Sequence, residues 1–279
     1  MDGDPPWLLI VSGSGNAKTE TVSALAGAGA IVTSTIDSPG ALLSASSRQE
    51  TAKDATGGLL RKLGNRGLLV IKDFTSILSM DRNMRGKVLA GLREVADGFW
   101  ERNVGVDGGR SIRWKGRVVL IGAVTTAYDS AHGVITAMGD RFMLLRVDSN
   151  LGRKASGRQA LRNVSHEVEM RLALTEAAGG AIENAKPELA VIDEDTRDML
   201  LDLADLVTLA RTAVERDPHK GDVIGAHMPE APTRLAKMLA QVVRGALALG
   251  MGLDHALNLA ARIAGDCVPL CGWSCCTTF

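Results

Sequence analysis

The chain has 279 residues, and its 32 basic and 32 acidic side chains leave a formal net charge of zero. A contact with nucleic acid must therefore come from a local patch of charge and not from the surface as a whole. No apolar run is long enough to span a membrane, and the N-terminus lacks a basic segment followed by an apolar one, so we expect a cytoplasmic protein.

The first half of the chain alternates apolar runs with helical patterns. Apolar and β-branched runs predict five strands, at 7–11, 30–36, 67–74, 117–126 and 141–148. Helical spacing is found at 82–98 and near 130–138, and the turn Asp107-Gly108-Gly109 predicts a hairpin between the third and fourth of these strands. Because the strands are apolar on both faces, we expect a parallel sheet that is covered by helices.

The second half of the chain looks helical throughout. A basic, polar stretch at 151–163 is typical of a linker or a helix start. From Val164 onward, helical patterns cover roughly 165–184, 193–215 and 232–264. We therefore divide the chain into an α/β core at 1–150, a helical domain at 151–266 and an irregular tail at 267–279.

The loop after the first strand, SGSGNAKT, is nearly a phosphate-binding loop. The usual spacing is Gly, four residues, Gly, Lys and Ser or Thr, and here the two glycines are Ser12 and Ala17. Close approach of the backbone to phosphate requires small residues, so these two replacements are sterically mild. The residues that would wrap the phosphates are Ser12, Gly13, Ser14, Gly15, Asn16 and Ala17. Lys18 would meet the outer phosphates and Thr19 would reach magnesium, unless this is an ordinary strand-turn-helix that contains a lysine.

Polar and charged residues accompany the later strands where a nucleotide site would need them. Asp73 ends the third strand, where its carboxylate would serve magnesium. Thr125 and Thr126 end the fourth strand, where they would sense the outermost phosphate. Arg141 precedes the fifth strand, and Arg234 begins an amphipathic helix in PTRLAKML. Each residue alone has an ordinary structural explanation, but the ordered set favours a nucleotide site.

That ordered set resembles the AAA+ branch of the P-loop ATPases, from Trp7 to about Gly265. The resemblance implies a P-loop NTPase fold, in which a parallel sheet flanked by helices is followed by an all-α lid domain. It implies ATP and Mg²⁺ as cofactors. Lys18 and Thr19 would be the Walker A pair and Asp73 the Walker B carboxylate.

The same resemblance implies an assembly. Thr125 or Thr126 would be sensor 1, and Arg234 would be the sensor 2 arginine of the lid. Arg141 would be the arginine finger, which reaches the nucleotide of a neighbouring subunit in a homo-oligomeric ring. Segments such as TGGLLRKLGNRGLLVIKDF and WKGRVVLIGAVTTAYD resemble a subgroup of bacterial ATP-binding proteins carried by phages and mobile elements. We therefore expect an ATPase that acts on DNA for such an element, as a helicase-like motor or a loader.

The end of the third strand departs from the pattern of this family. The usual Asp-Glu pair supplies a metal ligand and a general base, but here the residues are Lys72-Asp73-Phe74. If Asp73 binds magnesium, the base position is Phe74 and is empty; if Asp73 is the base, the metal ligand position is a lysine. Either register predicts slow hydrolysis, so a nucleotide-dependent assembly switch with little or no hydrolysis remains an alternative.

Basic residues on the predicted hairpin and before the third strand make DNA a candidate partner. Between 61 and 66, and at Arg102, Arg110, Arg113, Lys115 and Arg117, they would line a nucleic-acid channel. The alternative is a solvated hairpin, because acidic residues are interspersed. We expect Trp100 and Trp114 to pack across the strands, and we place Arg211 and Arg216 on one helix of the helical domain.

The tail CVPLCGWSCCTTF holds all four cysteines and has no periodicity. Its cysteines lack the spacing of a zinc site or of a disulfide framework. Back-translation with G- and C-rich codons, followed by a frame shift at Val268, gives the start of an amphipathic helix. In the resembled subgroup a winged-helix module usually follows the lid, so we hypothesise that the tail is frameshifted and that a DNA-binding module has been lost.

Overall fold

A computed structural model describes residues 3–45, 57–105, 108–137, 141–148, 152–212, 214–217, 220 and 222–269. Within these ranges the chain has an α/β fold with a parallel central sheet and flanking helices, which confirms the expected fold class at this level. Among the helices in these ranges, none combines the length and the apolar character that crossing a bilayer requires. The tail beyond residue 269, with three of its cysteines, lies outside the described residues.

The strands and helices are named in chain order. The strands are β1 (Trp7–Val11), β2 (Ile31–Thr33), β3 (Arg66–Ile71), β4 (Phe99–Val104), β5 (Arg110–Lys115), β6 (Arg117–Val124), β7 (Met143–Arg146), β8 (Val214–Arg216) and β9 (Val223–Ala226). The helices are α1 (Lys18–Ser23), α2 (Pro39–Leu42), α3 (Leu59–Leu63), α4 (Phe74–Leu78), α5 (Arg82–Asp97), α6 (Ala127–Ala137), α7 (Arg153–Asn163), α8 (Glu167–Glu183), α9 (Glu194–Ala210), α10 (Thr233–Ala248) and α11 (Leu253–Asp266).

The five predicted strands form one sheet, in the order β2-β3-β6-β1-β7. The pairs β2–β3, β3–β6 and β1–β7 are all parallel. Their apolar side chains are buried in consecutive positions, as at Leu69, Val70 and Ile71, because helices cover both faces of such a sheet. The strands were therefore predictable from apolar runs alone, although several of them end before the predicted residue.

The chain divides into two compact units, each of which combines distant segments. Unit 1 consists of the described parts of Met1–Val11, Tyr128–Arg146 and Asn184–Phe279, and unit 2 of those of Ser12–Ala127 and Val147–Glu183. These units interleave along the chain, whereas the division predicted at residue 150 follows chain order. That division stays a prediction.

Unit 2 contains β2, β3, β6 and the hairpin β4–β5. Helix α5 begins at an Asp81 cap, whose Oδ1 accepts the N–H groups of Asn83 and Met84, and it buries an apolar face that includes Val88 and Leu92. In the hairpin, Trp100 and Trp114 are directly opposite and both are buried, which confirms that they pack across the strands.

Helix α8 packs against the segment that continues α1. A 3-10 helix at Ala24–Ala28 follows α1 directly, and Gly27 of this segment lies against Gly179 of α8. A Cβ on Gly179 would come within 2.7 Å of the Gly27 carbonyl oxygen, and one on Gly27 within 1.9 Å of the Thr175 carbonyl oxygen. Only glycine permits this close approach, so the glycines fix α8 beside the segment that follows α1.

Unit 1 contains β1, β7 and the helices α9, α10 and α11. The predicted helical segment 232–264 is two helices, because Gly250 adopts a left-handed φ of 84° between α10 and α11. The expectation that the second half is entirely helical is wrong, since β8 and β9 form an antiparallel pair. Helix α9 also ends at Ala210, so Arg211 and Arg216 do not share a helix and Arg216 lies in β8.

Candidate functional site

The loop between β1 and α1 holds the side chain of Lys18 folded onto its own backbone. The Lys18 ammonium donates hydrogen bonds to the carbonyl oxygens of Ser12 at 2.9 Å and Gly13 at 2.6 Å, and to the Ser12 hydroxyl at 3.0 Å. Partial burial lowers the pKa of Lys18 below its ordinary value. The Ser12 N–H donates to the Val124 carbonyl oxygen at 3.3 Å, which ties the loop to the end of β6.

The loop keeps its shape through two residues with positive φ and one bracing side chain. Gly15 has a φ of 81° and Ala17 a φ of 52°, and among the described residues Ala17 is the one non-glycine residue in this region. The left-handed conformation costs an L-residue about 1–2 kcal/mol, so alanine at this position is mild in size but strained in backbone. Asn16 Nδ2 donates to the Gly13 carbonyl oxygen at 2.9 Å and braces the turn.

Asp73 follows β3 at the carboxyl end of the strand and caps α4. Its Oδ1 accepts the Ser76 N–H at 3.3 Å, and its Oδ2 accepts the Ser76 hydroxyl. The side chain is exposed, and the Asp73 N–H donates to the Ser34 carbonyl oxygen at 2.9 Å. A carboxylate has about four lone-pair positions, so capping leaves acceptor capacity for a metal or a water.

Thr125 is linked to the helix that Asp73 caps. The Thr125 N–H donates to Thr75 Oγ1 at 3.0 Å, and the two hydroxyl oxygens lie 3.4 Å apart. Thr126 is exposed in the turn that enters α6. Thr75 was not identified from the sequence, in which only its position two residues after Asp73 points to it. Through these bonds the loop, the end of β6 and the start of α4 form one hydrogen-bonded group within unit 2.

The residues on either side of Asp73 supply no carboxylate. Phe74 is fully buried, so its position faces the core and not solvent. Lys72 is half-buried, and its backbone N–H donates to the Thr33 carbonyl oxygen at 2.9 Å. A general base directly after Asp73 is therefore ruled out by packing as well as by residue type.

A second carboxylate, Glu20, lies on α1 directly after Thr19 and was not identified from the sequence. Arg171 of α8 donates to both of its oxygens, at 2.7 and 3.0 Å, and also to Glu167 at 3.2 Å. The hydrogen bond from Arg171 is the main reason that the pKa of Glu20 is lowered, and the charge of Lys72 adds to the effect. No sequence signal connects residues that lie so far apart in the chain.

Arg141 and Arg234, for which the resemblance implied the roles of arginine finger and sensor 2, both lie in unit 1. Arg141 is half-buried and lies two residues before β7. Arg234 lies in the first turn of α10, where its Nη1 donates to Glu230 Oε1 at 2.7 Å. The other oxygen of Glu230 accepts a hydrogen bond from Arg211 at 2.5 Å, and Arg211 is only 2% exposed. Glu230 thus holds two arginines, and Arg211 belongs to the packing of this unit.

Among the residues that the structure describes, no three side chains of the His, Cys, Asp and Glu types form a cluster that could hold a metal. No protein-family model matches the chain, and no curated protein has a matching sequence. The residues and their geometry are thus the basis for a functional assignment.

Proposed function

We propose that the chain binds ATP at the loop formed by Ser12 to Thr19 and is an AAA+-type ATPase that acts on DNA for a phage or mobile element in the cytoplasm. It would work as a helicase-like motor or a loader. The observation that carries the ATP proposal is the ammonium of Lys18, which is held within hydrogen-bonding distance of three oxygens of the loop. Phosphate oxygens would replace these acceptors, because they carry a full negative charge.

The residues of the site fit a nucleotide with Mg²⁺. The small side chains at Ser14, Gly15 and Ala17 leave the loop open, and a Cβ on Gly15 would meet no other atom within 4 Å. The Thr19 hydroxyl and the Asp73 carboxylate are the oxygen ligands that Mg²⁺ prefers. When bound, the cation would neutralise charge on the phosphates. Thr125, held by Thr75, would contact the outermost phosphate.

A homo-oligomeric ring is part of this proposal. Arg141 would reach the nucleotide of a neighbouring subunit, where a guanidinium stabilises charge on the transferred phosphoryl group. Arg234 would act as sensor 2. Because Glu230 holds Arg234 at 2.7 Å, Arg234 would first have to exchange this carboxylate for a phosphate.

The buried position of Phe74 favours a second function in which hydrolysis is slow or absent. A general base contributes about a hundredfold to ten-thousandfold in rate, and neither neighbour of Asp73 can supply one. The chain would then bind ATP, assemble and act as a nucleotide-dependent switch.

Nucleotide binding by matched lysine variants tests the first proposal. Lys18→Ala should weaken the binding of a fluorescent ATP analogue about tenfold to a hundredfold, because a hydrogen bond to a charged group contributes about 1.5–3 kcal/mol. The control is Lys87→Ala, which removes an exposed lysine from α5 and should leave the affinity unchanged. Unchanged affinity in Lys18→Ala would show that the loop does not bind phosphate.

Hydrolysis separates the two functions. The rate of phosphate release should be measured with and without single-stranded and double-stranded DNA. Turnover that DNA stimulates supports the motor or loader. Tight ATP binding with negligible turnover in all three conditions supports the switch.

A further inference from the structure

Helix α7 is a cationic helix with no buried residue. All of its side chains from Arg153 to Arg162 are exposed, and only Asn163 is partly covered. Its eleven residues include four cations and no carboxylate, at positions Arg153, Lys154, Arg158 and Arg162. Lys154, Arg158 and Arg162 follow each other at intervals of four residues, so they lie on one face of the helix. In a chain with no net charge, this is a concentrated positive surface.

The cations of α7 are not neutralised within the described part of the chain. None of the four has a carboxylate partner there. The nearest acidic residues that follow belong to α8, where Glu167 binds Arg171 and Glu169 lies 3.2 Å from His166. Arg153 and Lys154 are also at the amino end of the helix, where the helix dipole disfavours positive charge. Neither ion pairing nor capping therefore explains why this helix carries these residues.

We propose that α7 binds the phosphate backbone of duplex DNA. Lys154 and Arg162 are eight residues apart, which is about 12 Å along a helix axis at 1.5 Å per residue. This length is close to the roughly 12 Å width of the major groove, so the two ends of the charged face can meet phosphates on both sides of it. Amide side chains could read base edges, but the two in α7, Gln159 and Asn163, hydrogen-bond to each other at 2.9 Å. The contact of α7 with DNA is therefore to phosphates and does not depend on the DNA sequence.

The composition of α7 distinguishes this partner from other polyanions. A helix that lies on an anionic membrane needs a broad apolar face, and Leu161 is the one large apolar residue of α7. Proteins that bind single strands use aromatic side chains on which bases stack, and α7 contains none. Duplex DNA has one charge per about 1.7 Å of its axis, which suits a short, dense row of cations.

This inference rests on the proposed action on DNA but not on the ATP site, so the two can fail separately. The assay is the fluorescence anisotropy of a labelled 20-base-pair duplex, titrated with the full chain between 50 and 200 mM KCl, with and without ATP. Up to four phosphate contacts predict a slope of log K against log salt near −3.6, because each contact contributes about −0.9. The same coefficient means that each contact raises the affinity about eightfold when the salt concentration falls from 1 M to 0.1 M.

The test variant is the double substitution Lys154→Gln with Arg158→Gln. It should weaken duplex binding about sixtyfold at 0.1 M salt and should reduce the magnitude of the slope by about 1.8. Because both side chains are exposed, its melting temperature and its affinity for fluorescent ATP should equal those of the unchanged chain. The matched control is Lys87→Gln with Lys186→Gln, which removes two exposed lysines, one in α5 and one between α8 and α9, and should change the affinity less than threefold.

Four results would overturn the proposal. The first is no binding of the duplex at 50 mM salt, and the second is an unchanged slope in the α7 variant. The third is a loss in the control that equals or exceeds the loss in the α7 variant, which would show that the affinity follows the total charge of the chain and not α7. The fourth is equal or tighter binding of a 20-base single strand or of phosphatidylserine vesicles. Loss of ATP binding by Lys18→Ala, with duplex affinity retained, would leave the α7 surface standing independently of the nucleotide.

Discussion

Ala17→Gly should stabilise the protein, although glycine usually destabilises a fold. Ala17 has a φ of 52°, and this left-handed conformation costs alanine about 1–2 kcal/mol, whereas glycine adopts it freely. Glycine also gains freedom in the unfolded chain, which costs about 0.4–1 kcal/mol of stability. The difference is a net gain of about 0.5–1 kcal/mol. The side chain of Ala17 is exposed, so its loss removes little packing.

The assay is the apparent melting temperature by calorimetry, which should rise by about 1–4 °C for a gain of this size. The matched control is Ala90→Gly in the middle of α5, where the backbone is right-handed and glycine costs about 1 kcal/mol. The same substitution should therefore have opposite signs at the two positions. If Ala17→Gly lowers the melting temperature as much as Ala90→Gly does, Ala17 is not in the left-handed conformation and the account of the loop is wrong.

Three further predictions concern the surroundings of the loop. Phe74→Glu should cost about 3 kcal/mol or more in urea denaturation and should not restore a base, because it buries a carboxylate in the core; a stable variant with faster hydrolysis would contradict this. The coupling between Glu20 and Arg171, measured by a double-mutant cycle, should be weak at neutral pH, since both groups are exposed to solvent. Because the folded pKa of Glu20 is lowered, this coupling should be present above the ordinary pKa of a glutamate and lost as the pH falls through the folded value. Arg141→Ala should leave ATP binding intact but weaken ATP-dependent assembly in light scattering, and a chain that stays monomeric with ATP bound would contradict the ring.

The strands were predictable because a parallel strand that is buried on both faces has a continuous run of apolar residues in the sequence. β1 has the predicted bounds, and β3 and β6 lie within a residue of the predicted starts. Their ends were less certain, since the polar residues that follow a strand belong either to the strand or to the next helix. Phe74 illustrates this: its apolar side chain extends the run of β3, but the residue begins α4 and packs in the core.

Contacts between distant segments were not predictable from one sequence. Nothing in the spacing of Gly27 and Gly179 indicates that they touch, because glycine is common in loops as well as in close helix contacts. The salt bridge between Glu20 and Arg171 depends on the packing of α8 and could not be predicted from the sequence either. The left-handed backbone of Ala17 is also invisible in the sequence, since alanine is the residue that favours a right-handed helix most.

The carboxylates beside the loop would decide how much hydrolysis the proposed ATP site could support. Asp73 caps α4 through Ser76, and Glu20 is held by Arg171 at both of its oxygens. A general base must accept a proton, but a lowered pKa makes Glu20 a weaker base than an ordinary glutamate. Asp73 would already serve the cation if Mg²⁺ is bound. If the loop binds ATP as proposed, we infer that fast turnover would require a base from outside the residues of unit 2 that surround the loop.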